Sequence, residues 1–267
     1  VIAAFRATLE EIVEADLLLH IIDVTHRCCI DQAHVAMQTL DEIGVPKIPI
    51  ITVLNKTDML NDMKLPIDVF TEWAKDGRDE RMARGHADSV NSMLDFALEG
   101  QVDPFTFIDA GCGNGWVVRM MGNHQLCKRA TGVDGSEQMI KKAISFDSDN
   151  TYHCADLVDW IPNKKVDIVH SMEVFYYVKD PIGLIHRVVS HWLKPGGRLI
   201  IGIDYYSENE PSTSWNKECG ISIMTRLSEA EWLSGFNSSG LIDVLCWRVG
   251  AKDDWAGTLV VTGLMHY

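Results

Sequence analysis

The chain has 267 residues, 46% of them hydrophobic, a length that suits one large domain or one domain with an appendage. Its formal net charge of −14 and isoelectric point near 5.0 disfavour a protein that binds the backbone of a nucleic acid, which needs a basic surface. No apolar run reaches the roughly 18 residues of a membrane span. We therefore expect a small-molecule substrate and neither a nucleic-acid nor a membrane partner, and the sequence assigns no oligomeric state.

The cysteines point to a reducing compartment. They are odd in number and include no C-x-x-C pair, which disfavours both a disulfide framework and a zinc site. We expect free thiols, a cytoplasmic location and no metal. The chain starts at Val1, just before a helical pattern over Ala7–Ile12, so an organelle-targeting segment upstream is left open. The seven cysteines are Cys28, Cys29, Cys112, Cys127, Cys154, Cys219 and Cys246.

Residues 1–62 predict a βαβ-like appendage. Leu17–Ile22 is a nearly continuous apolar run, typical of a parallel strand covered on both faces. Asp31–Ile43 reads as an amphipathic helix that Gly44 ends. Ile48–Leu54 is the second buried strand.

That second strand runs into an N-K-x-D motif at Asn55–Asp58, whose Asp carboxylate can accept from the two N–H donors of a guanine edge. Together with Ala4–Glu11 and Ala15–His20, the motif makes residues 1–62 resemble part of the G domain of HflX-type ribosome-associated GTPases. No G-x-x-x-x-G-K-[ST] phosphate loop occurs in the chain. We therefore expect minimal nucleotide affinity, either in a non-functional remnant or in an ordinary appendage.

A polar linker at Asn61–Pro66 opens the second predicted domain, residues 63–267. Helical patterns follow over Phe70–Lys75 and Met82–Leu98. The apolar strand Thr106–Ala110 then runs into a glycine-rich turn. Asp109 precedes a G-x-G-x-G pattern that ends at Gly115, whereas a dinucleotide-binding turn reads G-x-G-x-x-G. Glycines there allow a tight turn and the close approach of a ligand.

Acids follow the next two predicted strands, as expected where an adenosine-type ligand lies at the ends of parallel strands. Asp134 ends the strand Ala130–Asp134, where a carboxylate can accept both ribose hydroxyls. Ser136 is placed to cap the next helix, and Met139 to touch an adenine. Asp156 would accept the adenine amino group.

Leu193–Gly202 reads as a helix end, a turn at L-K-P-G-G and a fifth strand. Together with the glycine-rich turn and the acids, this segment makes residues 68–267 resemble the class I S-adenosylmethionine (SAM) dependent methyltransferases. The resemblance implies a Rossmann-like α/β fold, with a mostly parallel seven-stranded sheet in the order 3-2-1-4-5-7-6 and helices on both faces. It also implies SAM as the cofactor. Asp109 is then expected to order the glycine-rich turn and to help receive the SAM ammonium, directly or through water. The cofactor-binding residues that it implies are Asp109, Gly111, Cys112, Gly113, Gly115, Asp134, Gly135, Met139, Asp156, Leu157 and Met172.

The acceptor side is read from the segment Met172–Pro181 after the fourth strand. This segment is similar to the M-E-x-L-E-H-V-x-D-P run of ubiquinone-type O-methyltransferases, but Tyr176 and Tyr177 replace the Glu and His that are associated with metal there. Both a metal and a quinol acceptor are therefore disfavoured. We take Glu173, Tyr176 and Tyr177 as catalytic candidates. Further acceptor-side candidates are His170, for which a core role is favoured, and Tyr205, Tyr206 and Trp215.

The leading hypothesis is a methyltransferase acting on oxygen, nitrogen or sulfur of a small molecule. No D/N-P-P-Y/F motif and no Pro-Cys pair occurs, which disfavours nucleobase acceptors. Phe70–Ala74 and Arg78–Met82 lie where class I enzymes often place a lid, and Trp215–Met224 is expected to cover the cleft. The alternatives are a GTP-binding or ribosome-associated module and a SAM-binding scaffold without turnover.

Overall fold

The structure is a computed structural model, which describes residues 15–24, 29–43, 48–57 and 63–266. The chain divides into two compact units, Val1–Met63 and Lys64–Tyr267. Several sequence expectations lie outside the described residues. They are the helix over Ala7–Ile12, the helix end at Gly44, Asp58 of the N-K-x-D motif, and residues 61 and 62 of the linker.

The first unit contains the predicted βαβ arrangement. Strand β1 (Leu18–Asp23) pairs in parallel with β2 (Ile50–Asn55), and helix α1 (Cys29–Ile43) connects them. Leu19 and Ile21 are 60% and 61% exposed, so the expectation of a strand covered on both faces is wrong. The burial of β1 alternates along the strand, as expected when a single helix packs on one face of a two-stranded sheet.

The second unit is built on one seven-stranded sheet in the order β5-β4-β3-β6-β7-β9-β8. Numbered within the unit, this is 3-2-1-4-5-7-6, so the predicted topology is confirmed. The first five strands in space are parallel, and β9 is antiparallel to both of its neighbours. The strands are β3 (Phe105–Ala110), β4 (Cys127–Asp134), β5 (Thr151–Cys154), β6 (Val166–Met172), β7 (Leu193–Ile203), β8 (Leu241–Val249) and β9 (Thr258–Met265).

Helices precede and connect these strands, and none among the described residues is long and apolar enough to cross a membrane. The predicted helix over Met82–Leu98 is two helices in the structure, because the chain turns at His86 (φ −94°, ψ 0°). The helices are α2 (Pro66–Asp76), α3 (Arg78–Gly85), α4 (Ala87–Leu98), α5 (Trp116–Gly122), α6 (Glu137–Phe146), α7 (Pro181–His191), α8 (Trp215–Glu218) and α9 (Glu229–Ser238).

The hydrophobic core lies on both faces of the sheet. One cluster packs α7 and α9 against the central strands and includes the fully buried Trp192, Trp232 and Phe236. A second cluster includes Val90 of α4 and Val118 of α5. Burial of each such side chain contributes about 1.5–3 kcal/mol, so the two clusters fix the sheet as a rigid platform for the strand ends.

The L-K-P-G-G segment forms part of a strand rather than the predicted helix end and turn. Val166 of β6 pairs with Leu193, and Ile168 pairs with Arg198, so the intervening residues of β7 bulge out of register. Gly196 has a φ of +74°, which a residue with a side chain adopts only with strain. The bulge lets one strand continue where the sequence suggested a break.

Candidate functional site

A cavity of about 830 Å³ opens at the carboxyl ends of β3, β4 and β6. This is where ligands bind in open α/β sheets, and the volume is in the range of small-molecule and cofactor pockets. Residues of α2 and α3 also contribute to its walls, including Phe70, Met82 and Ala83. The sheet edge and the N-terminal helices of this unit therefore enclose one ligand-sized space.

The glycine-rich turn forms one side of the cavity, and its glycines have different roles. A Cβ on Gly111 would lie 2.2 Å from a methyl group of Val174, and one on Gly115 would lie 2.6 Å from the ring of Tyr152. A Cβ on Gly113 would meet nothing within 4 Å. Gly111 and Gly115 therefore permit close packing of the turn, whereas Gly113 leaves open space. Gly115 is not among the residues that line the cavity.

Asp134, at the end of β4, holds the turn through two backbone amides. Its Oδ2 accepts from the amide of Gly113 at 2.9 Å, and its Oδ1 accepts from the amide of Ser136 at 2.8 Å. Burial raises the pKa of Asp134, and the two amides partly offset that effect. A carboxylate has about four acceptor positions. Asp134 therefore keeps acceptor capacity on the cavity side, where it is partly exposed.

Asp109 forms a buried pair with His170 of the neighbouring strand. The His170 Nδ1 lies 2.7 Å from Asp109 Oδ1, and the two side chains are 0% and 4% exposed. We expected Asp109 to order the glycine turn, but its hydrogen bond goes instead to this imidazole. His170 Nε2 has no hydrogen-bond partner within the described part of the chain. Both residues line the cavity, so a polar ligand atom could occupy the free position on His170.

Asn114 joins the glycine turn to helix α3. Its Nδ2 donates to Asp79 at 2.8 Å, and Lys142 donates to the other oxygen of Asp79 at 2.9 Å. The Asn114 Oδ1 is buried and has no partner among the described residues. The sequence interpretation missed Asn114, although a polar side chain between the second and third glycines was the available signal.

The opposite side of the cavity is built around Glu173, directly after β6. Its φ of +60° is unusual for a residue with a side chain. The Glu173 amide donates to Gly202 at 2.9 Å, its Oε2 accepts from the Tyr176 hydroxyl at 2.5 Å, and its Oε1 accepts from the amide of Asp204. These bonds fix the carboxyl group. Burial, and next the neighbouring Asp204 carboxylate, raise the pKa of Glu173 well above its usual value.

His86 and Asp204 extend this acidic region. The His86 Nε2 lies 3.6 Å from an oxygen of Asp204. A ring nitrogen of His86 and one carboxylate oxygen each of Glu173 and Asp204 all lie within 4.8 Å of one another. Burial lowers the pKa of His86, and Asp204 opposes the effect. We name His86, Glu173 and Asp204 the acidic cluster. The sequence interpretation missed His86, which the chain turn between α3 and α4 brings to the cavity.

Aromatic side chains complete this end of the cavity. The rings of Phe70 and Tyr177 are 4.9 Å apart, and both residues line the cavity. Tyr176 is 1% exposed and lies behind the wall, where it supports Glu173. Burial raises the pKa of both tyrosines, and the negative charge of Glu173 raises it further. Of the catalytic candidates, Glu173 and Tyr177 therefore reach the cavity.

The other aromatic candidates lie elsewhere. Tyr205 and Tyr206 are 4% and 0% exposed and belong to the core, where the Tyr206 hydroxyl donates to the Gly257 carbonyl at 2.9 Å. Trp215 stacks on Trp255 at 5.9 Å. None of the three is among the residues that line the cavity in the described part of the chain.

The structure brings most of the predicted cofactor residues together. Lining residues that the sequence interpretation had not selected come from the N-terminal helices, from the loop after β5 and from helix α7. The predicted cofactor residues that line the cavity are Asp109, Gly111, Cys112, Gly113, Asp134, Gly135, Met139, Asp156, Leu157 and Met172. The lining residues that were missed include Leu65, Pro66, Ile67, His86, Asn114, Trp116, Val158 and Ile223.

Comparison with known proteins gives matches for both parts of the chain. A family profile described as a methyltransferase domain matches residues 78–237. The trans-aconitate 2-methyltransferase of Azoarcus sp. is 31% identical over 180 residues, which cover 62% of this chain and 70% of that protein. GTPase HflX of Escherichia coli is 42% identical over 67 residues, which cover 25% of this chain and 16% of that protein.

Among solved structures, the chain is similar to one in the complex between the Haloferax volcanii Trm112 methyltransferase activator and a methyltransferase. The TM-score is 0.66 and the identity 30%, covering 75% of this chain and 97% of that chain. The chain spans only part of other curated relatives. It covers 15% of GTPase HflX of Alkalihalophilus pseudofirmus and 36% of trans-aconitate 2-methyltransferase of Agrobacterium fabrum.

Proposed function

This chain belongs to the class I SAM-dependent methyltransferases, and from that premise we propose that residues 63–267 transfer a methyl group from SAM to a small molecule bound in the cavity. The observation that carries the proposal is the open space at Gly113 beside the partly exposed Asp134. The Asp134 carboxylate holds this turn, and the open space at Gly113 lets a ligand approach the backbone. Both features are typical of sites that bind an adenosine-type molecule.

The residues around the turn fit SAM. Asp134 would accept from the ribose hydroxyls, and the loop at Asp156 and Leu157 would contact the adenine. Asn114 Oδ1 is a buried acceptor without a partner in the described residues, and it would receive the ammonium of the methionine part. When bound, SAM supplies an electrophilic methyl carbon on a sulfonium. The role of this chain is to position the acceptor atom in line with that carbon and to exclude water.

A small acceptor is supported by the size of the cavity and by the relatives. The trans-aconitate 2-methyltransferases, by their name, act on a small molecule. SAM would fill part of the 830 Å³, which leaves space for an acceptor of modest size. The acceptor would lie against Tyr177 and Glu173, on the side of the cavity opposite the glycine turn.

We also propose that residues 1–62 have no nucleotide site of their own. The N-K-x-D motif is present, but the sequence has no phosphate loop, whose backbone amides and lysine supply much of the affinity for a nucleotide. A GTP-binding or ribosome-associated module is the rival interpretation, and a SAM-binding scaffold without turnover is another.

Calorimetry with SAM and with GTP separates these possibilities. We expect SAM binding in the micromolar range or tighter and no GTP signal. Turnover is then measured as S-adenosylhomocysteine formed with a panel of metabolites. Since a structural relative is part of a complex with an activator protein, the assay is run with and without a Trm112-type protein. Tight GTP binding without SAM binding would refute the proposal, and SAM binding without turnover in either format would favour the scaffold.

A further inference from the structure

On the basis of the proposed function, we propose that the methyl acceptor is an amine, held as its ammonium by the acidic cluster against the rings of Phe70 and Tyr177, and methylated on nitrogen. This assignment differs in charge from the tricarboxylate that the trans-aconitate relatives are named for. It rests on the charge, the burial and the unmet hydrogen-bonding capacity of the cluster.

Two carboxyl groups are buried at this end of the cavity. Glu173 lines the cavity and is 7% exposed, whereas Asp204 is 4% exposed and lies behind Glu173 rather than among the described lining residues. His86, the third member of the acidic cluster, also lines the cavity. Burial raises the pKa of both acids, and the two carboxylates repel each other. Leaving such a pair without a cation is costly. A bound ammonium would stabilise the charged form of both acids.

The basic residues that line the cavity do not reach this cluster. Arg187 donates to the carbonyl of Asp159, next to the loop assigned to adenine. Lys179 is exposed to solvent. Within the described residues, an anionic acceptor would therefore lie against the buried Glu173, with Asp204 behind it and no lysine or arginine to balance their charge. An ammonium would be attracted where a carboxylate would be repelled.

The hydrogen-bonding capacity of the cluster also suits an ammonium, which has only donors. The buried Asp204 Oδ1 has no hydrogen-bond partner of ordinary geometry among the described residues. The neighbouring Thr258 hydroxyl lowers the pKa of that carboxyl against the larger effect of burial. Glu173 accepts one bond on each oxygen, which leaves further acceptor positions. The ligand that satisfies these groups is a donor rather than an acceptor.

The aromatic wall adds a second attraction for a cation. Phe70 and Tyr177 line the cavity, with Trp73 packed on Phe70 at 5.2 Å. The face of an aromatic ring attracts an ammonium by about 0.5–2 kcal/mol, depending on solvent exposure. Acids on one side and rings on the other form a site for a cationic head group.

The cluster also provides a destination for the proton that the amine must lose. His86 lines the cavity, and its Nε2 lies 3.6 Å from an oxygen of Asp204, which would stabilise the charged imidazole. Burial keeps the pKa of His86 below its usual value, so the neutral imidazole is available as the base that takes the proton. The freed nitrogen lone pair then forms the new N–C bond, while the C–S bond of the sulfonium breaks and its electron pair stays on sulfur. The products are a methylated ammonium, S-adenosylhomocysteine and a protonated His86, so the two positive charges of the reactants are conserved.

The test uses matched pairs of probes that differ only in the head group. Tyramine is compared with 4-hydroxyphenylacetate, and phenethylamine with phenylacetate, using the full chain with and without the Trm112-type protein. Binding is measured by calorimetry in the presence of S-adenosylhomocysteine, and turnover with SAM. We expect the amine of a pair to bind at least 10-fold more tightly than the acid, and only the amine to be methylated.

Variants then locate the site. Glu173→Gln and Asp204→Asn should each weaken amine binding by at least 10-fold, with less than a 3-fold change in the dissociation constant of SAM. His86→Asn should lower turnover more than amine binding. Asp149→Asn removes an exposed acid outside the cavity walls and should change neither quantity. Retained SAM binding shows that a variant is folded.

The outcomes separate this inference from the proposed function. Absence of SAM binding would overturn the proposed function. Normal SAM binding with no amine bound or methylated, or with the carboxylate of a pair preferred, would overturn the amine assignment alone. Binding of Mg²⁺ or Mn²⁺ to the chain that is lost in Glu173→Gln, with turnover that EDTA abolishes, would identify the acidic cluster as a metal site and would also overturn it.

Discussion

At the scale of single residues, several side chains at the cavity make hydrogen bonds within the fold and keep further acceptor positions for a ligand. Asp134 holds two amides of the turn and still faces the cavity. The Asn114 side-chain nitrogen donates to Asp79, and its side-chain oxygen has no hydrogen-bond partner among the residues that the structure describes. Glu173 is fixed by Tyr176 and by the Asp204 amide. Such prior fixing lowers the conformational entropy that is lost when a ligand binds.

The first prediction concerns Asp134. The change Asp134→Ala should weaken SAM binding by more than ~1.5 kcal/mol, as expected for a lost charge-assisted hydrogen bond. The change also frees the amides of Gly113 and Ser136, so the turn loses its support. Calorimetry with SAM measures the effect, with Asp149→Asn as the matched control. Unchanged affinity would show that the ribose assignment is wrong.

At the scale of elements, the cavity depends on how tightly the glycine turn packs on its neighbours. Gly111 lies against Val174, which follows β6, and Gly115 lies against Tyr152 of β5. Both glycines have positive φ, +79° and +76°. The turn therefore packs between β3, β5 and the segment after β6. A side chain added at a glycine that faces this packing should destabilise the fold, whereas one added at a glycine that faces the cavity should weaken ligand binding.

The second prediction compares two glycines of that turn. Gly111→Ala should lower the free energy of unfolding by about 2–5 kcal/mol, because it combines a left-handed φ (about 1–2 kcal/mol) with overpacking against Val174 (about 1–3 kcal/mol). Gly113→Ala should lower the free energy of unfolding only by the contribution of the left-handed φ, and it should in addition reduce the affinity for SAM. Urea unfolding and calorimetry distinguish the two effects. Equal destabilisation by both variants would refute this division of roles.

The third prediction concerns Asp167 of β6, which connects three strands. It accepts from the amide and hydroxyl of Thr106 on β3 and from Lys194 on β7, all at 2.7 Å. Burial acts to raise the pKa of Asp167, but the bonds from Lys194 and Thr106 outweigh it, so the pKa is lowered. Asp167→Asn should lower the free energy of unfolding by about 1–2 kcal/mol at pH 7, since solvent screens the partly exposed ion pair.

The sign of the pH dependence follows from the lowered pKa. The stabilisation by Asp167 is present above the pKa of the unfolded state, about 3.9, and is lost as the pH falls through the lower pKa of the folded state. Urea unfolding of the wild-type protein and the variant should therefore give a difference that shrinks from pH 7 toward pH 3. A difference that grows toward acid would contradict the assignment.

At the scale of the whole molecule, the ligand site belongs to one of the two compact units. Among the residues that the structure describes, those that line the cavity fall between Leu65 and Ile223, within the second unit. The first unit resembles part of a G domain and has the guanine-reading motif without the phosphate loop. The net charge of −14 favours the approach of a cation, in agreement with an amine acceptor.

The fourth prediction follows from this separation. Asn55→Ala, in the N-K-x-D motif, should leave SAM affinity and methyl transfer unchanged, because Asn55 is not among the residues that line the cavity. Turnover of the variant is compared with that of the unchanged chain, and Asp134→Ala is the control that should lose activity. A large loss of turnover in Asn55→Ala would contradict the assignment of the chemistry to the second unit.

The sequence by itself determined the fold and the family of this protein. Apolar runs, the glycine turn and the acids after successive strands are local patterns, and parallel strands place their carboxyl ends at one edge of the sheet. These patterns carry the resemblance to class I methyltransferases, which implied the strand order, and they selected residues most of which line the cavity. Predictions from the sequence were wrong where packing overrides the local pattern. The L-K-P-G-G segment forms a bulged strand instead of a helix end and turn. Tyr205 is buried in the core instead of lining the cavity.

Only the tertiary structure brought the acidic cluster together. His86 comes from a turn between two helices, Glu173 from the end of β6 and Asp204 from the end of β7. No local periodicity relates these positions, because the sheet order and the break at His86 bring them within 4.8 Å. Burial then raises the pKa of Glu173 and Asp204 and lowers that of His86. Local patterns encode which elements form, whereas the charge offered to a substrate depends on which side chains those elements bring together.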